Sequence, residues 1–149
     1  MAYASLKAWH LSYLFYVKVI YNMCMYKASL KMHLILVVKY RKNLLIGRIR
    51  GFILSVFQSI SEESKFTIEV METDKNHIHM MIEYLPSVSV SAIVRKLKQI
   101  STNKLWKNYG DFLSKHFWKE HTFWSDGYFA CSIGNACEET IREYIENQG

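Results

Sequence analysis

Residues 66 to 84 read FTIEVMETDKNHIHMMIEY, two runs of alternating side chains separated by the turn-prone ThrAspLysAsn. Alternation sends successive side chains to opposite faces of a strand, and a short polar turn lets two such strands pair as a hairpin. This feature constrains the chain most, because a slip of one residue would turn an entire apolar set toward water. A two-stranded ribbon is not stable alone, so neighbouring segments must extend and cover it.

Those segments are present. MHLILVVK at 32 to 39 is a β-branched-rich run without turn residues, read as a buried strand, and the basic cluster at 39 to 42 closes it. From Leu45 to about Ser64, Ile46, Ile49, Ile53, Val56, Phe57 and Ile60 recur at three- and four-residue steps, the stripe of an amphipathic crossover helix. After Pro86 a serine-rich entry leads into a second helical stripe, Ile93, Val94, Leu97, Ile100, Leu105 and Trp106, flanked by Arg95, Lys96 and Lys98. Residues 109 to 126 are aromatic and irregular. GYFACSI, 127 to 133, is a short strand ended by Gly134, and Asn135 with Glu138 forms a capping-box-like start for a final helix running to Gln148. The order strand, helix, strand, strand, helix, strand, helix predicts an α+β fold: a ferredoxin-like (RRM-like) split βαβ sandwich, its antiparallel sheet carrying helices on one face, followed by a C-terminal tyrosine-bearing helix.

At 149 residues the chain has the size of one domain, and with 50% hydrophobic and 21% charged residues it is no disordered polymer. The expected domain spans 32 to 149. Residues 1 to 31 form a leader without clean periodicity, read as an added helix or an over-extended start, with Met23, Met25 and Met32 as alternative starts. Within it, Trp9 to Tyr26 is the segment nearest to a membrane span, but Lys18, His10, Ser12 and Asn22 interrupt it and no small-residue cleavage site follows, so no membrane association is expected. Three cysteines, Cys24, Cys131 and Cys137, lack CxxC spacing and fit a reducing, cytoplasmic compartment. A net charge of +6 favours a polyanionic partner such as nucleic acid.

The chemistry-bearing residues begin with His77 and His79. On a strand, residues two apart share a face with backbones roughly 6.5 Å apart, so both imidazoles can address one point and share a metal ion. Ile78, Met80, Ile82 and Tyr84 then face the core. The same pair would serve equally as strand-end histidines satisfied by hydrogen bonds or water, and two imidazoles suit zinc, nickel or copper as well as any other metal. The last helix supplies a further set: Cys137, Ile141, Tyr144, Ile145 and Gln148 trace one stripe, with Tyr144 and Gln148 four apart. One reading makes Tyr144 a packing ring and Gln148 a frayed end. The other makes Gln148 a third ligand and Tyr144 a nucleophile, because a phenolate leaves phosphorus more readily than a sugar alkoxide and allows cleavage to be reversed. No Gly-rich phosphate loop is present, in keeping with a reaction that needs no external energy source.

His77-Ile78-His79 after the AspLysAsn turn, TyrIleGluAsnGln at 144 to 148, HLILVVKYRK at 33 to 42, LysLeuLys at 96 to 98 and FWSDGYFACSIGNACEETI at 123 to 141 together resemble the single-tyrosine HUH transposases of insertion sequences in the 200/605 group. The resemblance covers residues 32 to 148. It implies a small dimeric enzyme that cuts and rejoins single-stranded DNA at hairpin-bearing ends of a mobile element. It further implies that His77, His79 and Gln148 hold Mg2+ or Mn2+, and that Tyr144 forms a 5'-phosphotyrosine, its helix able to complete the site of the other subunit. Lys39, Tyr40, Arg41 and Lys42 with Arg95, Lys96 and Lys98 are the expected DNA contacts. Trp118, Phe123, Trp124 and Phe129 are read as core or dimer contacts. His33, His116 and His121, lacking a spacing partner, are read as structural or surface residues. Two alternatives stand beside the transposase: another HUH nuclease, such as a replication initiator or relaxase, and a non-catalytic single-strand binder on the same fold.

Overall fold

Every second residue from Met32 to Val38 is buried, as expected of a strand whose one face lines the core. The computed structural model describes residues 28–118, 120–134 and 137–147. The leader to residue 27, the Asn135 cap and Gln148 lie outside the described residues. The elements are β1 (Leu30–Val37), α1 (Gly47–Glu62), β2 (Phe66–Thr73), β3 (His77–Tyr84), α2 (Val90–Ser114), β4 (Phe129–Ile133) and α3 (Glu138–Glu146), with a 3-10 turn at Lys39–Arg41. The strands form one antiparallel sheet in the order β2-β3-β1-β4, the ferredoxin-like arrangement that the element order predicts.

One sheet face carries the main core. Ile49, Ile53, Val56, Phe57 and Ile60 of α1 and Ile93, Val94, Leu97, Leu105 and Leu113 of α2 pack on Met32, Leu34, Leu36, Ile78, Met80 and Ile82. Ile46, expected in the α1 stripe, is instead exposed at the cap position, and Gly47 opens the helix at φ +51°, a conformation suited to glycine. Ser89 caps α2 by accepting the Ala92 N–H at 3.2 Å. The helix runs on to Ser114 through a break at Tyr109, into the stretch that had no clear period. Of the four aromatics read as core or dimer contacts, Phe123 and Trp124 are buried, whereas Trp118 and Phe129 are exposed. The Trp124 indole N–H donates to Ser101 Oγ at 2.8 Å, which satisfies two polar groups within the core.

The tyrosine-bearing α3 lies on the opposite face. Ile145 is fully buried there and packs with Met81 and Ile133, flanked by Val70 and Ile141. Simple alternation along FTIEVME would put Val70 on the same face as Phe66 and Ile68. A register shift between Ile68 and Val70 turns Val70 to pair with Met81 under α3 instead. Cys137 occupies the cap position of α3 without a side-chain bond, and Glu138 pairs with Lys31. Among the described residues no helix is long and apolar enough to cross a membrane.

Candidate active site

The alternation that buries Ile78 and Met80 beneath the helices points His77 and His79 to the α3 face. β3 is an interior strand, so His79 is covered on both sides and only 3% exposed, while His77 at the strand start stays half-buried. Their ring centroids are 4.9 Å apart. With metal–nitrogen bonds of about 2.1 Å, two imidazoles on one ion hold their centroids about 5 Å apart.

Each imidazole has a neighbour at Nδ1. Asn76 Oδ1 lies 2.8 Å from His77 Nδ1, with Asp74 Oδ2 at 3.9 Å from the same nitrogen. His33 Nε2 lies 3.0 Å from His79 Nδ1, and the two rings stack with centroids 5.3 Å apart. His79 Nε2 is buried without any hydrogen-bond partner among the described residues. Burial, assisted by the neighbouring His77 and His33, pushes the His79 pKa from 6.5 down to about 4, and burial also lowers His33. His79 is therefore neutral near pH 7, with one nitrogen free to act as a ligand.

The Tyr144 ring stands edge-on to His79 at 5.8 Å and to His33 at 6.4 Å, on the same chain, and is 51% exposed. Burial of Ile145 beside it fixes the helix against the sheet. A charge ladder holds the helix start: Lys31 Nζ meets Glu69 at 3.0 Å and Glu138 at 2.6 Å, and Arg142 meets the same carboxylates at 3.1 and 3.6 Å. The hydrogen bond to Lys31 draws the Glu138 pKa below its ordinary value, and the bonds to Glu138 and Glu69 raise that of Lys31.

A divalent cation is the group that the family resemblance implies, and the donor set bears on it directly. The two imidazoles fit, since His79 Nε2 is a buried ring nitrogen without a hydrogen-bond partner among the described residues and the ring spacing suits a shared ion. Glu72, which pairs with His79 across the β2–β3 ladder, turns instead to Arg50 of α1. Among the described residues no group of three or more His, Cys, Asp and Glu could hold a metal ion. The expected third ligand, Gln148, lies outside the described residues.

The basic residues divide into two kinds. The turn at 39 to 42 leaves β1 beside His77, because Val37 pairs with His77 in the sheet. Tyr40 (φ 59°) and Arg41 (φ 50°) adopt left-handed conformations that cost of order 1 kcal/mol or more each, and Tyr40 is 66% exposed. The Lys39 N–H donates to the Phe123 carbonyl and the Arg41 N–H to that of Val38, which holds the turn in shape. Arg41 and Arg95 are exposed and make no ion pair among the described residues. The other four have internal partners. Lys39 pairs with Glu120 at 2.9 Å, Lys42 lies over the Phe117 ring, and Lys96 donates to Ser64 Oγ at 2.7 Å. Lys98 donates to the carbonyls of Ser125, Asp126 and Gly127 at 2.7, 3.0 and 2.9 Å, and burial lowers its pKa.

Residues 26–148 match the protein family described as "Transposase IS200 like". The chain belongs to this family. It is 30% identical over 118 residues, 79% of this chain and 76% of the other, to the transposase for insertion sequence element IS200 of Salmonella typhimurium. It is 25% identical over 123 residues, 83% of this chain and 86% of the other, to the ISDra2 transposase TnpA of Deinococcus radiodurans. The fold is similar to the crystal structure of a protein from Deinococcus radiodurans R1 described as a candidate transposase, with a TM-score of 0.67 and 21% identity over 83% of this chain and 94% of that one. As a member of the family the protein is a single-HUH transposase of the 200/605 group, and HUH-type transposase activity in general follows from that membership.

The sequence gives no local sign of where His33 sits. It lies 44 positions before His77 and has no local spacing partner, and only the β1–β3 register brings it to His79. In the sequence Asn76 carries only the mark of a turn residue, and Lys31 lies at the edge of the leader.

Proposed function

We propose that this protein cleaves and rejoins single-stranded DNA at hairpin-bearing ends of an insertion sequence, through a 5'-phosphotyrosine on Tyr144, as a cytoplasmic DNA-associated homodimer. The observation that carries this reading is the convergence of Tyr144, His77 and His79 on one sheet face, with a buried imidazole nitrogen that has no hydrogen-bond partner among the described residues.

His77 and His79, with Gln148, would hold Mg2+ or Mn2+. When bound, the cation supplies charge neutralisation at the scissile phosphate and polarises its oxygens. The Tyr144 oxygen forms a bond to phosphorus as the bond from phosphorus to the 3' oxygen breaks. Its proton is lost from the phenol, and the leaving oxygen gains one to become a free 3' hydroxyl. The reverse step begins with a 3' hydroxyl attacking the same phosphorus and expels Tyr144, so one phosphodiester is exchanged for another and no nucleotide hydrolysis is needed. The half-exposed position of Tyr144 suits a nucleophile that must meet a large polymer. Tyr40, Arg41 and Arg95 are the groups best disposed to contact bases and phosphates, and Lys39, Lys42, Lys96 and Lys98 are further DNA contacts already held by internal partners.

The test uses the purified full chain with a hairpin-bearing single-stranded oligonucleotide and Mg2+ or Mn2+. A covalent protein–DNA band is expected, lost in Tyr144→Phe and strongly reduced in His77→Ala, with duplex DNA a poor substrate. Binding without any covalent band would instead favour the non-catalytic single-strand binder.

A further inference from the structure

We infer that His33 and Asn76 are positioning residues that set the tautomers of the two metal-facing histidines, each accepting an Nδ1–H so that Nε2 is left as a lone pair. The inference rests on the proposed metal role of His77 and His79, and it extends the site to two residues outside the HUH motif.

The argument is a matter of donors and acceptors. A neutral imidazole carries one N–H and one lone pair, and a ligating nitrogen must present the lone pair. At His77 the neighbour is an amide oxygen, Asn76 Oδ1, 2.8 Å from Nδ1. An amide oxygen can only accept, so the hydrogen is on Nδ1 and Nε2 is free. With the oxygen toward His77, the same amide's Nδ2 donates to Asn43 Oδ1 at 3.3 Å, so both ends of the Asn76 side chain have a partner. Asn43 lies in the loop from β1 to α1, so the chain of contacts ties the turn before β3 to the segment after the basic turn.

At His79 the partner is another imidazole, and the direction of the bond has two formal solutions. If His33 Nε2 donated, His79 would carry its own hydrogen on Nε2, leaving an N–H donor buried with no acceptor among the described residues. An unsatisfied buried donor is costly, and that tautomer also could not bind a cation. If His79 Nδ1–H donates, Nε2 becomes a lone pair aimed where a cation can satisfy it. His33 must then be neutral with its hydrogen on Nδ1. His33 is itself buried between Phe129 and Tyr144, whose rings meet it edge-on, and these contacts with the stack on His79 hold its plane. The whole arrangement depends on the β1–β3 register, which sets His33 diagonally across from His79.

The test compares His33→Leu, which removes the acceptor, with His33→Gln, whose side-chain oxygen can restore it. Imidazole 15N chemical shifts of the metal-free full chain report the His79 tautomer directly, and Mn2+ titration followed by electron paramagnetic resonance reports binding. The expected result is an Nδ1–H tautomer at His79 in the wild type and in His33→Gln, and a mixed or Nε2–H population in His33→Leu. Mn2+ affinity should fall about 10- to 100-fold in His33→Leu and recover most of that loss in His33→Gln. Asn76→Ala should shift the His77 tautomer in the same sense. An Nε2–H tautomer at His79 in the wild type, or one unchanged between wild type and His33→Leu, would overturn the inference. If the wild-type tautomers are as stated but Mn2+ does not bind in a His77-dependent way, the positioning stands and it is the metal role of the pair that fails.

Discussion

His79 is a buried imidazole whose place in the sheet makes folding depend on pH. Its burial against His77 and His33 lowers its pKa from 6.5 to about 4, so the unfolded chain binds a proton more readily than the folded one between those values. The sign follows: stability is intact above pH 6.5 and is lost as pH falls toward 4, by roughly 3 kcal/mol in the limit for this one group. The lowered pKa of His33 works in the same direction. Denaturant melts in the presence of a chelator should therefore show a marked loss of stability from neutral pH to about pH 4, and His79→Gln should flatten that dependence. A wild-type profile that is flat across this range would contradict the burial assigned to His79. The HxH spacing made the pair visible in the sequence, but the protonation state follows from burial in the folded sheet, with smaller contributions from His77 and from His33 of another strand.

Among the elements, α3 is the one most lightly attached. It spans nine residues, too short to be stable as a helix by itself, and its apolar contact is a small cluster around Ile145, Met81 and Ile133, separate from the main core. Truncating the fully buried Ile145 to Ala should cost about 2–5 kcal/mol of docking free energy. Hydrogen exchange across 138–146 should accelerate accordingly, while protection in β1, β3 and α1 stays near wild type. Equal acceleration in all elements would mean that α3 unfolds only with the whole domain. The ladder of Lys31, Glu69, Glu138 and Arg142 adds alignment at the helix start, and screening by salt should weaken it. Periodicity sufficed to predict that this helix exists, since Ile141 and Ile145 recur at helical spacing. Which sheet face it covers was not legible, because the bulge that turns Val70 toward it has no mark in the local pattern.

On the scale of the whole molecule, a net charge of +6 and the basic turn beside His77 suit an approach by a polyanion to the strand ends. Single-stranded DNA affinity should fall with salt, and each phosphate contact contributes about 0.7 to the magnitude of the log–log slope. Arg41→Ala should reduce that magnitude by about 0.7, with Arg95→Ala as an independent comparison. An unchanged slope would remove Arg41 from the interface. Lys98 is expected to behave differently, because its ammonium secures the loop that feeds β4, and its loss should loosen that loop as well as any DNA contact.

The sequence by itself determined the element order, the hairpin, the histidine pair and the tyrosine helix, because each is written in local periodicity of two or of 3.6 residues. Helix α2 overran its expected end because the aromatic stretch after Trp106 takes its conformation from burial of Leu113 and Phe117 rather than from any stripe of its own. Tertiary structure alone decided the rest: His33 against His79, Lys31 between Glu69 and Glu138, and Lys98 in its ring of carbonyls. Each of these joins residues from separate elements, and such pairings depend on strand register and packing, to which local spacing in a single chain carries no reference.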